Sequence, residues 1–292
     1  MTMKTQSNIK HIVQVFLDIE RPSGIVLTEA FVNYRWDFFL QYTYPSLMNQ
    51  TFRDFEIWVI CGWRHRGITG NIHCHPNTRI KIIYPVPVDP SLSTVIGDTF
   101  TIAPKWKKKP TLMIKEFGEQ TADYLAITRI DSDDLFCEDA MLEIHGEASI
   151  AVNIIGVKER CRLLFTEYIY WDMINHFISF QKWANPPFYT HVFPREVYQD
   201  WNRLQKLHFN NHRYMGGGHE KELCPNKVLV TYHEQNIARI KRGKDVNHYT
   251  KTKLSEFREK GFKIETNPAI MNEHLQEFNV RNYENSRYGF SV

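Results

Sequence analysis

Residues Tyr124 to Leu135 read YLAITRIDSDDL, and both fold and chemistry follow from how this stretch is parsed. Tyr124 to Ile130 is an apolar run interrupted only by Thr128 and Arg129, too short for a typical helix and patterned like a strand covered on both faces. It runs directly into Asp131-Ser132-Asp133-Asp134. Strands of this kind alternate with helices in α/β folds, whose ligands bind beyond the carboxyl ends of the strands. The acids therefore stand at the mouth of a predicted site.

Working outward, His11 to Leu17 (HIVQVFL), Phe55 to Ile60 (FEIWVI) and Arg79 to Tyr84 (RIKIIY) read as further strands. Thr28 is placed to cap a helix with apolar positions at Val32, Trp36, Phe39 and Leu40, which Pro45 interrupts. Pro85, Pro87 and Pro90 hold a loop, and Pro110 opens a helix over Thr111 to Thr121. Downstream, Ser149 to Val157 and Arg162 to Ile169 read as strands, Arg195 to Leu207 as a helix and Lys227 to Tyr232 as a last strand. The expectation is an α/β fold with a mostly parallel sheet flanked by helices. Residues 1–240 form the main domain, and 241–292 form a C-terminal helical extension packing on it.

The composition supports a packed domain. Of 292 residues, 42% are hydrophobic and 24% charged, which excludes a mainly disordered chain. A net charge of +3 is too mild to argue for nucleic acid by itself. The five cysteines are odd in number and contain no CxxC pair, which speaks against a secreted disulfide framework. No apolar stretch approaches the ~20 residues of a membrane span. The sequence thus predicts a cytoplasmic protein without a transmembrane segment, with contact to a membrane surface left open.

Three carboxylates within four residues repel one another, and a fold keeps them together where something positive compensates. A hard divalent cation, Mg²⁺ or Mn²⁺, prefers oxygen ligands and is commonly held by one or two carboxylates together with substrate phosphates. The plainer alternative is a solvated acidic turn capping the segment that starts near Glu138.

Tyr44 to Ile60 (YPSLMNQTFRDFEIWVI) followed by Ile127 to Leu135 (ITRIDSDDL) resembles the nucleotide-sugar-dependent glycosyltransferases of the GT-A fold, and within them the rhamnosyltransferase-type group. The resemblance spans about residues 10 to 240. It rests on "PSL..Q" before the second strand and "R-[ILV]-D-x-D-D" at the end of the fourth. It implies that Asp131 contacts the nucleotide ribose, that Asp133 binds the metal bridging the diphosphate, and that Asp134 orients or assists. Independently of any family, a nucleoside diphosphate leaves with growing negative charge, and a cation placed there stabilises it. Arg129 meets either phosphate or an Asp.

Met215-Gly216-Gly217-Gly218-His219-Glu220 is the second constellation. Its glycines allow close backbone approach to a ligand or form a flexible loop. By the resemblance Glu220 is the candidate base for the acceptor hydroxyl, with His219 as its rival because imidazole titrates near neutrality. His233, after the strand KVLVTY, takes the place of a late histidine that completes the metal shell, with Asn236 in support; otherwise it is a surface or capping residue. Lys105-Trp106-Lys107-Lys108-Lys109 suits a diphosphate, an acidic polymer, a membrane headgroup, nucleic acid or simply solvent, and Lys109 joins the nucleotide-sugar-binding candidates.

Cys61, His65, His73, Cys74 and His75 are zinc-compatible in type but not in spacing, so loop residues are the default. The aromatics Tyr168, Tyr170, Trp171, Phe177, Phe180, Trp183, Phe188 and Tyr189 suit either an acceptor site or the core. One departure stands out: the second strand is followed by Cys61-Gly62-Trp63, where many GT-A enzymes carry an acid that reads the nucleotide.

The expected function is a metal-dependent glycosyltransferase moving a sugar from a nucleotide-sugar donor to an acceptor hydroxyl, on a glycan or a modified DNA base, with inversion. Metal-dependent nucleotidyl or phosphoryl transfer is the alternative within enzymes. A non-catalytic glycan- or nucleic-acid-binding module is the alternative outside them.

Overall fold

The computed structural model describes residues 7–17, 28–62, 65–69, 80–87, 93–96, 99–102, 112–183, 186–208, 219–233 and 263–280. The chain opens with β1 (Ile9–Phe16), α1 (Glu29–Phe38), a π-helical turn (Phe39–Thr43), α2 (Tyr44–Met48), β2 (Phe55–Ile60), α3 (Arg66–Thr69) and β3 (Ile80–Ile83). Short strands follow: β4 (Val86–Pro87), β5 (Ser93–Ile96), β6 (Thr99–Ile102) and β7 (Leu112–Met113). Next come α4 (Lys115–Gly118), β8 (Tyr124–Asp131), β9 (Asp134–Phe136), α5 (Ala140–Ile150) and a second π-helical turn (Ala151–Ile155). The remainder is β10 (Cys161–Leu164), β11 (Glu167–Asp172), β12 (Phe177–Lys182), β13 (Tyr189–Pro194), α6 (Arg195–Tyr198), α7 (Trp201–His208), β14 (His219–Glu222), β15 (Val228–Tyr232), β16 (Lys263–Glu265) and a C-terminal helix, Pro268–Gln276.

Among the described residues the larger sheet has seven strands in the order β14-β10-β13-β8-β1-β2-β3. The run β8-β1-β2-β3 is parallel, as its two-sided apolar strands require, but β13 lies antiparallel to both β8 and β10. A second sheet, β16-β12-β11-β15-β9, is antiparallel except for β11 with β15. The architecture is α/β with mixed sheets flanked by helices. Four of the six pairings in the larger sheet are parallel, β14 with β10 among them, and the antiparallel β13 and the second sheet are what the parallel expectation does not include.

Alternation along the strands divides the core. Val13 and Val15 of β1, Ile57 and Val59 of β2, and Ala126 and Ile130 of β8 join α1, α5 and the second sheet in the larger cluster. Ile12, Trp58, Ile60, Leu125 and Ile127 occupy the opposite face, with Phe117 of α4, Val197 of α6 and Leu204 of α7. Met271, Leu275, Phe278 and Val280 of the C-terminal segment are buried in the larger cluster, and β16 pairs with β12.

Several local expectations need correction. Thr28 caps α1, accepting the Phe31 N–H at 3.2 Å, but the helical path does not end before Pro45. A proline lacks an N–H and crowds the carbonyl four residues back. The π-turn widens the helix at that point, with Tyr44 N–H donating to Phe39 O, so that Pro45 begins a fresh turn. Ser149 to Val157 is the end of α5 and the second π-turn, not a strand; a short apolar run does not by itself separate the two. Thr111 to Thr121 contains only one helical turn, α4, after the two residues of β7. Arg162 to Ile169 is split into β10 and β11, and Arg195 to Leu207 into α6 and α7. Asp200 makes the second break by accepting the N–H groups of Asn202 and Arg203 at 3.0 and 3.2 Å, which starts α7.

Candidate functional site

The acids lie where the strand order reverses. From β1 the chain moves to β2 and β3 on one side, while β8 lies on the other, and Phe16 at the end of β1 stands in register with Asp131. Crevices at such a reversal, beyond the carboxyl ends of the strands, are the general ligand sites of open α/β sheets.

The DSDD turn is also where the chain leaves one sheet for the other. Asp131 ends β8, Ser132 and Asp133 form the turn, and Asp134 begins β9, which pairs with β15 of the second sheet. Polar groups from three elements hold it. Thr43 Oγ1 donates to Ser132 O at 2.9 Å, Arg35 Nη2 donates to Ser132 Oγ at 2.6 Å, and Thr231 of β15 donates its hydroxyl to Asp133 O and its N–H to Asp134 Oδ1 at 3.2 Å.

The residues of "PSL..Q" clamp the chain just beyond the turn. Ser46 Oγ donates to Thr43 O at 2.8 Å and accepts the Phe136 N–H at 3.3 Å. Gln50 Nε2 donates to Ser46 O at 2.9 Å and Cys137 O at 2.6 Å, while Gln50 Oε1 accepts the Met141 N–H at 2.9 Å. The two sequence motifs are thus one structural unit, in which α2 fixes the exit of the acidic turn.

Asp133 and Asp134 are buried and Asp131 is half-buried, so a solvated turn is excluded. Asp133 Oδ2 accepts from Arg35 Nη1 and lies 3.1 Å from His233 Nε2. Burial alone would raise the Asp133 carboxyl, but the Arg35 guanidinium and the His233 contact outweigh it and hold the group below the usual carboxylate range. Burial raises Asp134 well above that range, and the neighbouring charges of Asp133 and Asp131 push the same way, which favours its neutral form. Tyr34 Oη lies 3.1 Å from His233 Nδ1, and Phe38 stacks on the imidazole with ring centroids 4.5 Å apart.

Sequence reasoning missed Arg35 and Tyr34. Arg35 lies on the buried face of α1 with Phe31, Val32, Trp36 and Phe38. A charged residue at helical spacing among core positions must have a buried counter-charge, and that is the signal that marks it.

Arg129 Nη2 pairs with Asp131 Oδ1 at 3.2 Å, and its guanidinium carbon stands 4.9 Å from the centre of the Phe16 ring. Of its two expected partners, the structure shows the Asp. His233 is brought to Asp133, with Nε2 on that carboxylate and Nδ1 on the Tyr34 hydroxyl, so both ring nitrogens are engaged.

Glu220 and His219 are not brought to the acids. Both lie on β14, an edge strand, where Glu220 pairs with Arg162 Nη2 at 2.7 Å. Glu220, Arg162, His191 and Ile127 form one row across the sheet. Three strand spacings sideways and four residues along β8 separate Glu220 from Asp131, on the order of 20 Å. Glu220 and His219, the candidate bases, thus stand on the edge of the sheet and apart from the acidic turn.

Lys109, the rest of the basic run, Met215 to Gly218 and Asn236 lie outside the described residues, as do His73, Cys74 and His75. Cys61 is buried, its N–H donating to Ile83 O at 2.9 Å. Tyr168, Tyr170, Trp171, Phe177, Phe188 and Tyr189 are core, whereas Trp183 is 39% exposed.

Among the described residues, Asp131, Asp133 and Asp134 are the group whose ligand atoms lie mutually close enough for a metal ion, all within 4.8 Å. The donors are all oxygen, the set that Mg²⁺ and Mn²⁺ prefer, and among the described residues no donor contacts Asp133 Oδ1. The donor chemistry fits a hard cation. No protein-family model matches the chain, and no curated protein matches it.

Proposed function

We propose that the protein is a metal-dependent glycosyltransferase of GT-A-like architecture that moves a sugar from a nucleotide-sugar donor to an acceptor hydroxyl with inversion. The observation that carries this reading is the position of three mutually close carboxylates at the reversal of strand order, held in a turn with little freedom.

Asp131 and Asp133 would hold Mg²⁺ or Mn²⁺, with His233 beside them and Asp134 as a further oxygen ligand. Bound there, the cation would supply Lewis-acid stabilisation of the charge that develops on a departing diphosphate. The chain's own groups do the rest. Arg35 holds the Asp133 carboxylate ionised and fixed in place, because its guanidinium bonds that side chain and Ser132 Oγ together. Tyr34 and Phe38 fix the imidazole of His233. Arg129 is near enough to Asp131 to meet phosphate oxygens as well as the carboxylate.

A second reading, a non-catalytic binding module, draws on Arg35 and Arg129, two guanidiniums that already offset much of the charge of the acids. Calorimetry with UDP, GDP and TDP, with and without Mn²⁺, separates the two. The transferase reading expects nucleoside diphosphate binding only with the cation, weakened at least ~10-fold by Asp131→Asn, about the loss of one charge-assisted contact. Binding of glycan or nucleic acid polymer without metal, and of no nucleotide, would reject it.

A further inference from the structure

The two guanidiniums beside the acids are held differently. Arg35 uses two nitrogens on the turn, Nη1 on Asp133 Oδ2 and Nη2 on Ser132 Oγ, and the ion pair is shielded from water. Pulling it away would strand two buried charges. Arg129 gives Asp131 one contact, Nη2 to Oδ1 at 3.2 Å, and these two side chains are 22% and 34% exposed. A pair this open is weak. Arg129 and Asp131 are two residues apart on β8, so both project from the same face of the sheet. The guanidinium carbon rests 4.9 Å from the centre of the Phe16 ring, and Phe16 ends β1 in register with Asp131. An aromatic face supports a guanidinium without fixing its rotation.

We infer that Arg129 is an exchangeable stand-in for the cation: it covers Asp131 in the empty protein and moves to the phosphate oxygens when a diphosphate arrives, which frees Asp131 for the metal. The exchange presupposes the nucleotide-sugar reading and makes cation and diphosphate bind together. Without phosphate, a divalent ion between Asp131 and Asp133 faces two guanidiniums at close range, and like charges repel strongly in a partly buried site. A diphosphate draws Arg129 off the carboxylate and meets the cation as well. Arginine suits this role because its fork of N–H groups matches phosphate as readily as carboxylate. Arg35 takes no part, since its pair with Asp133 is the buried one. Whatever factor the diphosphate adds to cation affinity, the cation adds to the diphosphate.

Mn²⁺ binding to the full chain, read by calorimetry and from the loss of the free-ion paramagnetic resonance signal, tests this with and without UDP, GDP or TDP. Wild type should bind Mn²⁺ ~100-fold more tightly with the preferred diphosphate at saturation than without it, towards the upper end of ordinary coupling. The corresponding nucleoside should have no such effect. Arg129→Gln should bind Mn²⁺ alone ~10-fold more tightly than wild type, because Asp131 loses its partner, yet bind the diphosphate with Mn²⁺ ~10-fold more weakly. Arg129→Lys keeps the charge and should stay within ~3-fold of wild type for Mn²⁺ alone. Urea midpoints establish that the variants fold. Equal affinity for Mn²⁺ alone in wild type and Arg129→Gln, with the coupling intact in both, overturns the exchange and leaves the transferase reading standing. A nucleoside that couples as strongly as its diphosphate overturns it in wild type, with no variant needed. Failure of Mn²⁺ and all three diphosphates to bind in any combination removes the transferase reading itself, and the exchange with it.

Discussion

Arg35 and Asp133 meet as guanidinium and carboxylate although 98 residues separate them in sequence, and their side chains are only 5% and 8% exposed. Removing one partner leaves the other charged and shielded from water. Arg35→Met should therefore cost about 3–5 kcal/mol in urea denaturation, whereas Arg35→Met with Asp133→Leu should recover most of that loss, because a buried pair replaced by apolar groups leaves nothing unpaired. A double variant no more stable than the single one would show that the pair is not an energetic unit.

Asp134 makes a prediction of opposite sign. Its folded carboxyl is raised by burial and by Asp133 and Asp131, so the folded chain binds more protons than the unfolded chain above the ordinary carboxylate pKa. The stability this group contributes is complete below that pKa and is lost as pH rises through the folded value. With EDTA present, Asp134→Asn should gain on wild type steadily from about pH 4 upward, since Asn keeps the Thr231 contact and cannot ionise. Parallel denaturation curves at every pH would contradict this.

His11 carries an acid liability. Burial first, then the neighbouring His145 and Lys10, pull its pKa down to about 3, and its Nε2 lies 3.0 Å from His145 Nδ1. The unfolded imidazole takes a proton below about pH 6.5 and the folded one does not. Stability held above that pH is lost progressively as pH falls towards 3. His11→Gln should flatten the profile between these limits, as followed by urea midpoints; an unchanged slope would remove His11 from the account.

Gln50 makes its three contacts with groups on either side of the α2 to β9 junction. Gln50→Leu fills similar space but leaves buried backbone groups without partners, and should cost about 3 kcal/mol. If the junction positions the acids, the variant should also bind Mn²⁺ with UDP more weakly while remaining folded, which calorimetry reads directly.

Ligand removal offers a test that needs no acceptor. A cation and nucleoside diphosphate held by the acids stabilise the folded chain by about 2.7 kcal/mol at a hundredfold excess over Kd. Thermal melts should rise with Mn²⁺ and UDP together and fall back on adding EDTA. In Asp131→Asn the rise should shrink; a rise of equal size there would place the ligand elsewhere.

The strands and the acidic turn were legible because each is encoded locally. YLAITRI, FEIWVI and HIVQVFL are apolar on both faces, and DSDD directly follows one of them. Arg35 was not legible in the same way, since its meaning depends on a carboxylate contributed by a distant turn. The AVNII run was misread because β-branched residues on a continuous apolar stretch suit a strand, whereas here the end of α5 opens into a wider turn. Glu220 follows three glycines in sequence, yet its neighbour in space is Arg162 on the next strand, a pairing that register decides and composition does not.

Because the chain changes sheets between Asp131 and Asp134, whatever those carboxylates grip acts as a rivet through the seam between two sheets. Occupancy should then slow amide hydrogen exchange on both sides at once, in β1 and β8 and equally in β9 and β15, so that breathing of the two halves becomes a single event.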